Sequence, residues 1–93
     1  MRRYYIEARL EKVLNKLKRK NNTRYQAVID KIEEIVNSTS INHYKNLKSS
    51  MKKLKRVHID KSFVLIFSYD PETQTLKFYD LDHHDDIYQK LAK

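Results

Sequence analysis

Near its C-terminal end the chain runs "DLDHHDDIYQK", Asp80 to Lys90, setting two adjacent histidines and four acids in a protein that is otherwise strongly basic. Upstream, "KRVHI" alternates Arg56 and His58 with Val57 and Ile59, the two-residue period of a strand with one buried and one open face. Val57 and Ile59 belong to the core, and Arg56 and His58 point away from it together. His84 and Tyr88 are four apart and therefore neighbours on one helical face. An imidazole beside a phenol ring can move a proton and stack on a base. With the cations from Lys45 to Lys55, these are the groups that RNA cleavage without a metal requires. They supply a base for the 2′-hydroxyl, positive charge for the phosphorane, an acid for the leaving 5′-oxygen and a ring to hold a splayed nucleotide.

Other chemistries fit less well. Cysteine is absent, which removes disulfides, thiolate metal sites and a cysteine nucleophile. Glycine is absent too, so no glycine-rich loop lets backbone amides approach a phosphate as in P-loop or Rossmann sites. Ser49, Ser50, Ser62 and Ser68 lack the elbow and oxyanion hole of a hydrolase triad. His83, His84, Asp85 and Asp86 are metal-ligand types, but consecutive residues rarely converge on one ion and His58 would have to add a ligand from the sheet. The expectation is neither metal nor cofactor. Each singled-out residue also has a plainer reading: His58 as a hydrogen-bonded sheet histidine, Tyr88 as a packing residue, and His83 as solvated surface.

The elements that position these groups follow from pattern. Ninety-three residues suffice for one domain, 1–93, with one modest core. A short strand at Arg3 to Glu7 precedes a helix over Ala8 to Arg19, in which Leu10, Val13, Leu14 and Leu17 fall at helical spacing. Asn21 and Asn22 break it. Thr23 and Gln26 have capping-box spacing ahead of a second helix over Arg24 to Asn37. From Lys55 three strands follow as an antiparallel meander: "KRVHI", the continuous apolar run "FVLIF", and "LKFYDL" after a turn at "DPET". A short helix closes the chain, with Asp82 as its expected N-cap, Asp85 and Asp86 in its first turn, and Ile87 and Leu91 on its apolar face. The expected fold is α+β, with two N-terminal helices packed on a twisted antiparallel sheet, a short C-terminal helix, and an outer sheet face that is concave and basic.

Charge is distributed unevenly. Residues 1–40 hold ten Lys/Arg against five acids, 41–69 seven against one, and 70–93 three against six. The middle segment, with "YKNLKSSMKKLKR" at its heart, suits a polyanion such as nucleic acid or an anionic membrane surface, and its plainer reading is a lysine-rich solvated surface. With no apolar run of spanning length and no signal-like start, a soluble cytoplasmic protein without membrane contacts is expected.

The order of helix, helix, basic loop and meander, with "NLKSSMKKLKRVHIDKSFVLIF" followed by "FYDLDHHDDIY", resembles the RelE superfamily of toxin-antitoxin toxins, within it the YafQ-like branch. The resemblance implies an mRNA interferase that enters the ribosomal A site and cleaves mRNA without metal, leaving a 2′,3′-cyclic or 3′-phosphate and a 5′-hydroxyl. Carried over by position, His84 matches the branch's C-terminal catalytic histidine, Tyr88 its aromatic residue against the substrate, and His58 a second histidine on the strand. Lys45 stands where the branch has another histidine. Arg56 stands where that branch has an acid, and resembles the basic strand residue of RelE proper. Val64 replaces an arginine of RelE proper, Ser62 an acid of the YafQ-like branch, and Ser49 a usual glycine. Lys48, Lys52, Lys53 and Lys55 are expected as contacts to ribosomal RNA. The implied partners are a RelB- or DinJ-like antitoxin, the ribosome and mRNA, with operator DNA reached only through the antitoxin. Two rivals stay open: a ParE-like inhibitor of DNA gyrase on the same scaffold, and a non-catalytic RNA-binding homologue.

Overall fold

The computed structural model describes residues 2–45 and 54–91, the last four of these by backbone alone. Its elements run β1 (Arg3–Ile6), α1 (Ala8–Lys20), α2 (Asn22–Val36), a 3₁₀ turn at Ile41–His43, β2 (Lys55–His58), β3 (Phe63–Asp70), β4 (Thr75–His83) and α3 (His84–Leu91). The strands form one sheet in the order β1-β4-β3-β2. The β2–β3–β4 meander is antiparallel, as its turn-punctuated pattern predicts. The sheet as a whole is mixed, because β1 joins β4 in parallel, with Arg3 opposite Thr75 and Ile6 opposite Phe78. A parallel neighbour needs a long crossover, and both helices, β2 and β3 lie between the two strands.

The two N-terminal helices cover one face. Leu10 and Leu14 of α1 are one turn apart and buried, as are Val28, Ile32, Ile35 and Val36 of α2. They pack with Leu65, Phe67, Leu76, Phe78 and Leu81, and with Val57 and Ile59 at the margin. A single residue joins the helices. The Asn21 amide donates to the Leu17 carbonyl at 2.8 Å, closing α1, while its side chain accepts from the Arg24 amide at 3.1 Å, opening α2. Asn21 therefore takes the capping role expected of Thr23, and Gln26 bonds Asp30 on the next turn at 2.9 Å instead of reaching back.

The second sheet face is not bare. Ile87 of α3 is fully buried against Val64 and Ile66, with Leu54 and Tyr79 alongside, so the terminal helix is seated on part of the surface expected to be open. A register break aids this: Ile66 faces Asp80 and Phe67 faces Phe78, which leaves Tyr79 as the extra residue of a bulge.

Candidate active site at the junction of β4 and α3

The site begins with a turn. Between β2 and β3, the Asp60 carboxylate accepts from the amides of Ser62 and Phe63, both at 3.0 Å. Arg24, at the start of α2, pairs with the same carboxylate at 2.8 Å and lays its guanidinium over the Phe63 ring at 3.9 Å. Burial pushes the Asp60 carboxyl up, but these amides and Arg24 outweigh it and hold it below the usual carboxylate range. The turn is thereby tied to the helical layer. Its Ser62 carbonyl then accepts from the His84 amide at 2.8 Å, one step beyond the last strand pair, Phe63 opposite His83.

That bond sets where the strand ends and the helix begins. β4 continues to His83, so Asp82 is a strand residue whose side chain accepts from the His83 amide at 2.8 Å, and it does not cap the helix as expected. His83 holds the capping position instead: its Nδ1 accepts from the Asp85 amide at 3.4 Å. Asp85 and Asp86 occupy the first turn, where acids suit the helix dipole. The switch from strand to helix turns two adjacent histidines to the same side. Their rings stack with centroids 4.8 Å apart, and His83 meets the edge of Phe63 at 6.1 Å.

His84 is half-exposed in an asymmetric way. Its Nδ1 is buried and, among the described residues, without a hydrogen-bond partner, whereas Nε2 lies 3.0 Å from Asp85 Oδ1. Nε2 is thus the partnered nitrogen, held against a well-exposed carboxylate. Tyr88 follows one turn later in α3, its side chain lying outside the described residues.

Across the sheet, His58 ends β2 exposed and opposite Val64, whose own partner on β4 is Asp82. Arg56, two residues earlier, is opposite Ile66, so both side chains belong to the face on which α3 sits. Among the described residues no hydrogen bond joins His58 to His84. Arg56 donates its amide to the Lys45 carbonyl at 2.9 Å, which brings Lys45, otherwise distant in sequence, to the outer edge of β2. Lys55 is not brought to this group. It is opposite Phe67, on the helical face, and its ammonium donates to the Tyr44 carbonyl at 3.3 Å; burial holds its pKa below the usual lysine value. Lys48, Lys52 and Lys53 lie outside the described residues. Sequence reasoning missed the Asp60–Arg24 clamp and the capping role of His83. "IDKS" directly after a strand is the one signal that pointed to an Asx turn.

A mixed four-stranded sheet with two helices on one face and a short terminal helix on the other is the architecture of small toxins of the YafQ and RelE type. YafQ from Escherichia coli superposes with a TM-score of 0.74 at 17% identity, covering 95% of this chain and 99% of that one. A chain of the intact Escherichia coli RelBE toxin-antitoxin complex gives 0.70, also at 17%, covering 89% and 96%. No family model matches the chain. The "Putative toxin RelE4" of Methanocaldococcus jannaschii is 47% identical over 81 residues, spanning 87% of this chain and 84% of that protein. The chain belongs to the RelE superfamily of toxin-antitoxin toxins.

Proposed function

We infer that this toxin is a ribosome-dependent endoribonuclease that cleaves mRNA in the A site and so stops translation. The observation that carries this reading is the position of His84: pinned by the Ser62 carbonyl at 2.8 Å, with one nitrogen buried and the other against the exposed Asp85 carboxylate, on the sheet face that also carries His58 and Arg56. In the reaction the 2′-hydroxyl loses its proton to a base and attacks the adjacent phosphorus. The bond to the 5′-oxygen breaks, and that oxygen takes a proton, leaving a 2′,3′-cyclic phosphate and a 5′-hydroxyl. His84 moves a proton at one end of this sequence, and His58 serves the other or positions the ribose. Arg56 and Lys45, held together by their backbone bond, offset the charge that develops on the phosphorane. Tyr88 holds a base, and Lys48, Lys52 and Lys53 contact ribosomal RNA. No metal is required for these steps.

A cognate antitoxin is the expected partner. This is supported by family membership and by the RelBE relative, which was solved as a toxin-antitoxin complex. Operator DNA would be reached through that antitoxin. The chemistry is tested by the ends of the product. Fragments whose 5′ ends accept a label from polynucleotide kinase directly, and whose 3′ ends are cyclic phosphates, fit attack by the 2′-hydroxyl. Fragments with 5′-phosphates would rule that route out.

A further inference from the structure

Consecutive residues on a strand point to opposite faces, which is why "HHDD" is a poor metal motif on sequence alone. The change from strand to helix between His83 and His84 removes that objection. One ligand atom each of His83, His84 and Asp85 lies within 4.8 Å of the other two. Asp85 is the hinge of the group, with one oxygen 3.0 Å from His84 Nε2 and the other 3.8 Å from His83 Nδ1. The carboxylate is well exposed and both rings are about two-fifths exposed, so an ion can enter from solvent. To bind, His83 gives up its long 3.4 Å contact with the Asp85 amide, and the two imidazoles turn out of their 4.8 Å stack so that their nitrogens converge. Two imidazoles and one carboxylate form the three-ligand set of an open tetrahedral site, which suits zinc and its neighbours in the first transition series rather than magnesium or calcium.

We propose that His83, His84 and Asp85 form a binding site for a zinc-like transition-metal ion at the junction of β4 and α3, and that the ion inhibits the toxin by occupying His84 Nε2. The inhibitory half rests on the nuclease reading; the binding half does not. An imidazole nitrogen bound to zinc has given its lone pair to the metal and can neither take nor deliver a proton, so a loaded toxin lacks the proton carrier at His84 Nε2. His83, which the proposed cleavage does not use, thereby becomes the residue through which metal reaches the site.

The test uses chelator-treated full-length protein and zinc chloride alone, followed by calorimetry and by the histidine ring resonances. Saturable binding of one zinc per chain is expected, with the rings of His83 and His84 shifting and that of His43, tilted against Tyr44, unmoved. Asp85→Asn, a change of shape-matched and exposed groups, and His83→Ala are each expected to weaken binding by about ten- to a hundredfold with the fold intact by circular dichroism. Magnesium and calcium should not compete. Non-saturable binding, or equal affinity in wild type and both variants, overturns the site. In the ribosome assay, zinc at saturation should suppress cleavage by wild type, and Asp85→Asn should need correspondingly more. Cleavage that persists in the zinc-saturated protein overturns the inhibitory half, while absence of cleavage in the metal-free protein overturns the nuclease reading and leaves the binding result standing.

Discussion

At the scale of single residues, the proposed mechanism assigns proton transfer to His84, whose two nitrogens have different surroundings. Replacing it with alanine removes a proton carrier but leaves the amide bond to Ser62 that seats the helix. Cleavage in His84→Ala is therefore expected to fall by about 10²- to 10⁴-fold with thermal stability nearly unchanged, compared by single-turnover rates and melting curves. A second residue-level prediction concerns Tyr44, whose hydroxyl donates to Glu34 at 2.8 Å. This bond, chiefly, holds the Glu34 carboxyl below its usual range, while burial and the same carboxylate push the phenol up to about 12. A depressed carboxyl contributes stability that is complete above the ordinary carboxylate pKa and is lost as pH falls through the lowered value. A raised phenol contributes below its ordinary pKa and is lost as pH rises through about 12. Tyr44→Phe should return the Glu34 titration, followed by carboxyl NMR shifts, towards the ordinary value; an unmoved midpoint would rule the hydrogen bond out as its cause. Legibility at this scale was partial. Arg56 and His58 were readable from alternation, which the register with Ile66 and Val64 matches. Lys55 was grouped with the phosphate contacts by charge, and no sequence pattern shows that its ammonium meets the Tyr44 carbonyl. His83 caps a helix only because the strand runs one residue further than Asp82, a boundary that a backbone bond to Ser62 decides.

At the scale of elements, the site depends on how α3 and the β2–β3 turn are held. Ile87 is fully buried and is the side chain that fastens α3 to Val64 and Ile66. Ile87→Ala should cost about 2–5 kcal/mol by denaturant unfolding, and cleavage should fall with it because His84 loses its support. Asp60→Ala should cost about 1.5–2 kcal/mol, the lower part of the range for charge-assisted hydrogen bonds since the group is partly exposed. Because the Asp60 pKa is depressed, that difference should shrink on acidification through the lowered value. The absence of glycine has one visible consequence: Gln74, ending the loop between β3 and β4, sits at φ 54°. Gln74→Gly should raise stability by about 0.5–1 kcal/mol, since relief of the left-handed backbone exceeds glycine's entropy cost; a lower melting temperature would contradict this. The two helices and the meander were legible because hydrophobic period and turn residues mark them directly. The parallel pairing of β1 was not, since a four-residue strand carries no mark of which distant strand it joins. Nor was the seating of α3 on the outer face, which the apolar pair Val64 and Ile66 hinted at only through an unbroken run.

At the scale of the whole molecule, a formal charge of +8 is concentrated away from the acidic C-terminal segment. An electrostatic footprint of this kind predicts ribosome binding that weakens with salt. Replacing Lys48, Lys52 and Lys53 with glutamine should lower the slope of log affinity against log salt by about 0.7–0.9 for each lysine that meets a phosphate, while leaving the chemistry of a bound complex intact. An unchanged slope would place the contact surface elsewhere. Among the described residues no helix is long and apolar enough to cross a membrane. In the proposed mechanism a folded, antitoxin-free chain cuts mRNA only inside the ribosome and does so through His84. Primer extension on a defined mRNA, with and without ribosomes stalled with an open A site, measures it most directly. Cleavage is expected in the ribosome-containing arm alone, and is expected to be lost in His84→Ala. Intact mRNA in both arms, or cleavage that survives His84→Ala, would contradict it.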